Sequence, residues 1–168
     1  RVTKMTARKG ELKPCEIEWE YDIPKDAWYA ANGVVPMIIP FEASHTLILA
    51  LSYIGCDEIF EGKLRYRALD SKVFIYDGMP APGETFRGKV KIVSFAKIKS
   101  SLLIFYEFNG YIKNKKFFAI NASAGFFSPA NMEKSKGLSP VYQTDVIAKH
   151  TPFVPFLDCE KTRFTDYD

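Results

Sequence analysis

Two side chains suited to proton transfer stand at the start of the most apolar stretch of the chain, FEASHTLILALSYIG. Glu42 is its second residue and His45 follows three residues later. A carboxyl group and an imidazole can donate and accept protons near neutral pH. Residues three apart share a helix face, so we expect His45 to pack on the same side as Glu42. A carboxylate early in a helix also complements the helix dipole, which is a purely structural explanation for Glu42.

The cysteines point to neither a disulfide framework nor a metal site. Cys15, Cys56 and Cys159 are odd in number, far apart, and form no CxxC pair. Such cysteines are typical of a reduced compartment, so the expected localisation is cytoplasmic. We expect no bound metal.

Composition narrows the possible function classes. The chain has 168 residues, 47% hydrophobic and 15% aromatic, which suits one domain with a real core. Its net charge of +3 is too small to indicate nucleic-acid binding. The longest apolar run, residues 47–51, is too short to span a membrane. The chain starts at Arg1 with no apolar signal region, which favours a segment of a longer protein.

The element that must position Glu42 is a helix, predicted over about residues 41–54. Pro40 suits its first turn, and Gly55 is a stop signal. Apolar residues continue around most of this helix, so we expect it to be enclosed on all sides. Residues 15–21 alternate between acidic and apolar side chains, which predicts a half-buried strand before the helix.

Five antiparallel strands are predicted after the helix, over residues 64–68, 72–76, 86–98, 101–112 and 116–127. One strand, an enclosed helix and then strands predict an α+β protein of the hot-dog type, a long sheet curved around a central helix. The predicted unit covers residues 1–157, and residues 158–168 read as a linker or tail.

Several segments together resemble one enzyme family. Val35-Pro36 followed by Phe41-Glu42-Ala43 is similar to the proline and helix carboxylate of hot-dog 3-hydroxyacyl-ACP dehydratases. More specifically, the segments WEYDIPKDAWYAANG, LRYRALDSKVFIYDGMPAPGETFRGKVKIVSF and AGFFSPANMEKSKGL resemble the dehydratase region of polyunsaturated fatty acid synthases. The resemblance covers roughly residues 16–163.

The chain departs from this family at the catalytic base. Active members carry a histidine fourteen residues before the helix carboxylate, where this chain has Trp28. Met37 replaces a glycine and Thr46 replaces a glutamine. Indole has no basic nitrogen, so a site built on Trp28 should be silent in dehydration. Because the family's histidine comes from a loop, we interpret His45 as a packed, hydrogen-bonded residue and not as the base.

The resemblance implies that each active site takes its histidine from one hot-dog unit and its carboxylate from another. Glu42 would then serve the histidine of a second unit, located downstream or supplied by homodimerisation. The implied substrate is a 3-hydroxyacyl chain on the phosphopantetheine of an acyl carrier protein, and no bound cofactor is implied. The candidate substrate-binding residues are Trp28, Met37, His45 and Thr46.

Two roles remain open for Trp28: it can fill the vacated pocket as core, or line an acyl tunnel. The Met37 backbone N–H could bind a thioester oxygen, although its side chain crowds a position that is glycine in the family.

Two other functions fit the same residues. The chain could be a non-catalytic structural half of a dehydratase, which only completes the shared sheet. It could also be a hot-dog acyl thioesterase that uses Glu42 without a histidine.

Overall fold

A computed structural model describes residues 1–99 and 101–134. The predicted boundary at residue 157 and the tail over 158–168 lie outside the described residues. The strands are β1 (Val2–Met5), β2 (Cys15–Asp22), β3 (Arg65–Ile75), β4 (Thr85–Ile98), β5 (Ser101–Ile112) and β6 (Lys115–Phe127). The α-helices are α1 (Ile38–Ala43), α2 (Leu47–Ile54) and α3 (Pro129–Glu133), with 3-10 turns at Ser44–Thr46 and Glu58–Phe60.

The strands form one antiparallel sheet in the order β1-β2-β4-β5-β6-β3. Helix α1, the 3-10 turn and α2 follow one another directly and are called here the central helix, residues 38–54. The predicted α+β arrangement of a long sheet with one central helix is confirmed. A long loop precedes this helix. The turn at Glu58–Phe60 and then the edge strand β3 follow it.

Strand β2 shows why the alternating residues form a two-faced sheet. Ile17 and Trp19 are buried on the helix side. Glu16 and Glu18 lie on the outer side, where both form ion pairs with Lys89 of β4. Apolar burial on one face and paired charges on the other fix the register, because a slip of one residue would exchange the faces.

The central helix begins earlier than predicted, at Ile38 and not near residue 41. Pro40 lies within the first turn, where its missing N–H removes no hydrogen bond. Glu42 is consequently in the second turn, and the expected first-turn contribution from the helix dipole is wrong. Gly55 ends the helix in a left-handed conformation with φ of 82°, as its stop-signal role predicts.

The expectation that the helix is enclosed on all sides is wrong for the described residues. Its inner side is buried against the sheet through Leu47, Ala50, Leu51 and Ile54. The outer side remains exposed, with Ile38 at 54%, Leu49 at 52% and Tyr53 at 51% of their accessible surface. One six-stranded sheet covers only one side of a cylinder, so the second apolar side is left uncovered.

Two details of the sheet differ from the prediction. Segments 64–68 and 72–76 form one strand, β3, whose register with β6 shifts between Ala68 and Ser71. The polar residues between them form a bulge and do not end the strand. Strand β1 was not predicted, because its four exposed residues carry no alternation of buried side chains.

Within the described part of the chain, none of the helices has the length and apolar character that a membrane crossing requires.

Candidate functional site

Glu42 and His45 lie together on the outer side of the central helix. The Oε2 atom of Glu42 is 3.1 Å from Nδ1 of His45 and hydrogen-bonds to it. The Glu42 side chain is 60% exposed, whereas His45 is half-buried. The ring of Phe41 meets the imidazole edge to face, with centroids 6.3 Å apart. The expected packed and hydrogen-bonded His45 is therefore observed, and its partner is the candidate catalytic carboxylate.

The exposed side of the helix combines this carboxylate with apolar residues. Ile38, Glu42, Leu49 and Tyr53 are four, seven and four residues apart, a spacing that places them on one helix face. All four side chains are exposed. We call these four residues the outer helix face. A carboxylate set among exposed apolar side chains is the arrangement that a partner surface would bury.

Two buried hydroxyl groups, those of Ser44 and Tyr106, are polar neighbours in the same region as Glu42. Burial raises the pKa of the Tyr106 phenol, the Ser44 side chain partly offsets this rise, and the charge of Glu42 adds to it. The Tyr106 hydroxyl group therefore stays protonated near neutral pH.

Tyr66 of β3 is a polar residue of this region that sequence reasoning missed. Its hydroxyl oxygen is buried and has no hydrogen-bond partner among the described residues. Its ring packs edge to face on Phe126 of β6, with centroids 5.6 Å apart. Burial raises the pKa of Tyr66 to about 12, with smaller contributions from Tyr106 and Glu42. The alternation of residues along 64–68 could have predicted that this side chain points inward. It could not have shown that the hydroxyl group lacks a hydrogen-bond partner.

Thr46 ties the central helix to the sheet. Its hydroxyl accepts a hydrogen bond from Nε1 of Trp19 at 2.8 Å and donates one to the carbonyl oxygen of Ala43 at 2.9 Å. The Trp19 ring lies directly over Gly88 of β4, where an added Cβ would come within 2.1 Å of it. These contacts fix the 3-10 turn that separates Glu42 from the buried part of the helix. A contact between Thr46 and substrate remains a prediction.

Trp28 does not fill a pocket in the described structure. Its side chain is 73% exposed, and its ring meets Tyr29 at a centroid distance of 5.7 Å. The loop is instead anchored by Tyr29, whose hydroxyl hydrogen-bonds that of Tyr21, and by buried Val35, which donates to the Pro80 carbonyl oxygen. The expectation of a core plug is wrong, since these anchors leave Trp28 pointing outward. Its role in lining an acyl tunnel remains a prediction.

Met37 lies immediately before the central helix and is also exposed. Its carbonyl oxygen accepts the first helical hydrogen bond from the N–H of Phe41 at 3.1 Å. Val34 and Trp28 in the preceding loop are exposed apolar residues as well. An oxyanion role for its N–H remains a prediction.

The described residues offer no alternative centre for metal or thiol chemistry. They contain no group of three or more His, Cys, Asp or Glu side chains placed to hold a metal ion. Cys15 and Cys56 are buried free thiols. Burial raises the pKa of Cys56 to about 12, so this thiol does not act as a nucleophile near neutral pH.

Comparison with known sequences finds similarity to part of one much longer protein. No protein-family model matches the chain. One of the subunits of a polyunsaturated fatty acid synthase from Thraustochytrium sp. is 26% identical over 142 residues, which is 82% of this chain and 9% of that protein. The chain thus spans a small part of the length of this relative.

Solved structures share the fold at low identity. A hypothetical thioesterase from Streptococcus pneumoniae with coenzyme A has a TM-score of 0.51 and 8% identity, covering 76% of this chain and 85% of that one. An acyl-ACP thioesterase from Bacteroides thetaiotaomicron has a TM-score of 0.53 and 13% identity, covering 67% of this chain and 46% of that one. The chain has the hot-dog fold. Identities this low show the fold alone, so the chemistry must be argued from the site.

Proposed function

We propose that this chain is one half of a double-hot-dog 3-hydroxyacyl-ACP dehydratase of the polyunsaturated fatty acid synthase type. In this proposal Glu42 supplies the acid of an active site, and the histidine base belongs to a second hot-dog unit. The observation that carries the proposal is the exposed carboxylate of Glu42 on the outer helix face. The similarity to part of a polyunsaturated fatty acid synthase supports the substrate class.

The chemistry requires two groups of opposite function. A base removes the proton from C2 of the 3-hydroxyacyl thioester, and an acid protonates the hydroxyl group on C3, which leaves as water. The C2–H electrons form the double bond between C2 and C3. Glu42 can act as the acid, and Trp28 cannot be the base, because its indole nitrogen carries no available lone pair. Since His45 is hydrogen-bonded to Glu42 itself, we propose that the base comes from elsewhere.

The exposed surfaces support a second hot-dog unit as its source. The apolar residues of the outer helix face surround Glu42, so a unit that covers them also reaches the carboxylate. Strand β3 is paired on one side only, with β6, and its other edge is open to a further strand in the described sheet. Covering these surfaces would also shield Glu42 and a bound substrate from water.

The carrier-bound substrate belongs to the proposal as well. A phosphopantetheine arm on acyl carrier protein would deliver the acyl chain to the covered helix face. The lysines at the β5–β6 turn are not proposed as the docking site, because Lys113 pairs with Glu84 and Lys115 pairs with Asp77. Paired lysines present less positive charge to an acidic carrier.

The decisive experiment is Glu42→Gln in the intact protein, assayed by hydration of a crotonyl-pantetheine thioester. Loss of an acid should lower kcat by about 100-fold or more while the unfolding midpoint is unchanged. The matched control is Glu107→Gln on the outer side of β5, which should leave kcat unchanged. Unchanged turnover in Glu42→Gln would instead identify a structural half.

The thioesterase alternative is tested with the same proteins. The wild type would then hydrolyse acyl-CoA, show no hydration activity, and lose the hydrolysis in Glu42→Gln. That result would assign thioester hydrolysis, and not dehydration, to this site.

A further inference from the structure

The Tyr66 hydroxyl is a buried polar group that has no role in the proposed function. It is a hydrogen-bond donor shielded from water, with no acceptor among the described residues. Leaving such a donor unpaired carries a desolvation cost, so an acceptor that reaches it gains binding energy. The same ring could pack on Phe126 as phenylalanine without this cost. Packing alone therefore gives no reason for a hydroxyl group at this position.

The location of Tyr66 favours a ligand as the source of that acceptor. Tyr66 belongs to β3, the edge strand whose far side carries no neighbouring strand in the described sheet. Its ring packs against the buried core, to which Tyr106 of β5 and Leu47 of the central helix also belong. The charge of Glu42 makes a small contribution to the raised pKa of both phenols. The donor thus lies on the helix side of the sheet, on its open edge strand.

The two tyrosines of this region have different surroundings. The Ser44 side chain is a polar neighbour of Tyr106 and partly offsets the effect of burial on the pKa of its phenol. The Tyr66 hydroxyl has no hydrogen-bond partner among the described residues, and its raised pKa keeps it protonated at any physiological pH. A phenol that stays protonated is a donor suited to a neutral oxygen or to one that gains negative charge during reaction.

We propose that the Tyr66 hydroxyl positions the acyl group by donating a hydrogen bond to one of its oxygens, either the thioester carbonyl or the 3-hydroxyl. This inference rests on the proposed function, because it takes its ligand from the Glu42 site. Tyr66 fixes the orientation of this acyl group relative to Glu42.

The test compares ligand binding to the intact wild-type protein and to Tyr66→Phe. The probe is a pantetheine that carries a 3-hydroxyacyl amide, which cannot turn over. Two truncated probes lack one oxygen each: one has a methylene in place of the carbonyl, and the other has no 3-hydroxyl. Calorimetry gives a dissociation constant for each pair of protein and probe.

We expect Tyr66→Phe to weaken binding of the complete probe by about 3- to 10-fold, the value of one net hydrogen bond. For the truncated probe that lacks the oxygen bound by Tyr66, wild type and variant should bind equally. The matched control is Tyr111→Phe, the same change on the outer side of β5, which should alter no dissociation constant. The unfolding midpoint of Tyr66→Phe should be equal to or above that of wild type, since an unpaired donor is removed.

Other outcomes overturn the inference. Equal binding of the complete probe by wild type and Tyr66→Phe excludes a contact between Tyr66 and the ligand. If Glu42→Gln nevertheless lowers turnover, the proposed function still holds. A loss of binding that persists with both truncated probes indicates altered packing. A lowered unfolding midpoint with unchanged binding assigns the acceptor to the protein itself. If the wild type binds no probe and Glu42→Gln changes no turnover, the proposed function fails together with the inference.

Discussion

Oε2 of Glu42 and Nδ1 of His45 are 3.1 Å apart within one helix, so the candidate acid already has a hydrogen-bonding partner in its own chain. The ring of Phe41 contacts the same imidazole edge to face. The carboxylate of an exposed glutamate has several free torsions, and a hydrogen bond to a half-buried ring reduces them. His45 is therefore placed to orient Glu42, a function distinct from that of a base.

We expect substitution of His45 to separate orientation from proton transfer. His45→Ala should lower kcat by about 5- to 10-fold, the loss of one modest hydrogen bond, with KM nearly unchanged. His45→Asn should recover most of this loss, because its amide nitrogen can occupy the position of Nδ1 and donate to Glu42. Steady-state kinetics of the intact variants provide the measurement.

The double variant Glu42→Gln/His45→Ala serves as the control. It should be no slower than Glu42→Gln alone, since His45 acts through Glu42. A kcat in His45→Asn as low as that of Glu42→Gln would instead make His45 a proton-transferring residue.

Thr46 is expected to contribute to stability through Trp19. Thr46→Val keeps the shape of the side chain but leaves the Nε1–H of Trp19 without its acceptor, so unfolding free energy should fall by about 1–3 kcal/mol. Thr46→Ser keeps the hydroxyl group and should cost less than half as much. Urea denaturation followed by tryptophan fluorescence measures both. Equal stability of Thr46→Val and wild type would show that the observed hydrogen bond contributes nothing.

Alkaline pH should destabilise the fold through Cys56 and Tyr66, whose pKa values rise from 9.0 and 10.0 to about 12 on folding. The folded state holds these protons more tightly, so stability is complete below pH 9 and decreases as pH rises towards 12. Cys56 contributes a slope of about 1.4 kcal/mol per pH unit above pH 9, and Tyr66 adds a similar slope above pH 10. Unfolding free energies measured from pH 8 to pH 11 should decrease accordingly.

Cys56→Ala gives the matched variant for this pH dependence. It removes one titrating group, and its curve should fall less steeply between pH 9 and pH 11 than that of the wild type. If the unfolding free energies of the variant and the wild type fall in parallel, Cys56 is excluded as a source of the lost stability at alkaline pH.

The sequence predicted the parts of the fold that a local pattern determines. Period-two alternation placed β2 within one residue of its observed end, and Gly55 marked the end of the helix because glycine adopts the left-handed conformation there without the steric cost of a Cβ. The start of the helix was missed, since Met37 caps it without a side-chain hydrogen bond and no capping residue marks the position. Strand β3 appeared as two segments because its bulge carries the polar residues typical of a turn.

For the candidate site, the sequence predicted only a contact made between neighbouring residues of one helix. The pairing of Glu42 with His45 follows from their spacing of three residues. The exposure of Trp28 did not follow, because it depends on how Tyr29 and Val35 anchor the loop. An apolar helix also has the same sequence pattern whether its own sheet or a second unit buries its outer side. The pattern therefore predicted burial of Leu49 that the described sheet does not supply.

Leu49 gives a direct test of whether another surface covers the outer helix face. It lies seven residues after Glu42 on the same face and is 52% exposed. If a second unit packs there in the intact protein, Leu49→Glu places a charge in an apolar interface. Stability should then fall by at least about 2 kcal/mol. Turnover should fall as well, because the unit that supplies the base is displaced from Glu42.

The matched control is Val93→Glu on β4, a comparable exposed apolar residue on the sheet. It should leave turnover and the unfolding midpoint of the intact protein unchanged, since no covering unit is proposed at that position. Hydrogen exchange adds an independent measurement: amides of residues 47–54 should be protected in wild type and exchange faster in Leu49→Glu. If the two glutamate variants behave alike in all three measurements, the outer helix face faces solvent. Glu42 would then have to find its base without a covering unit.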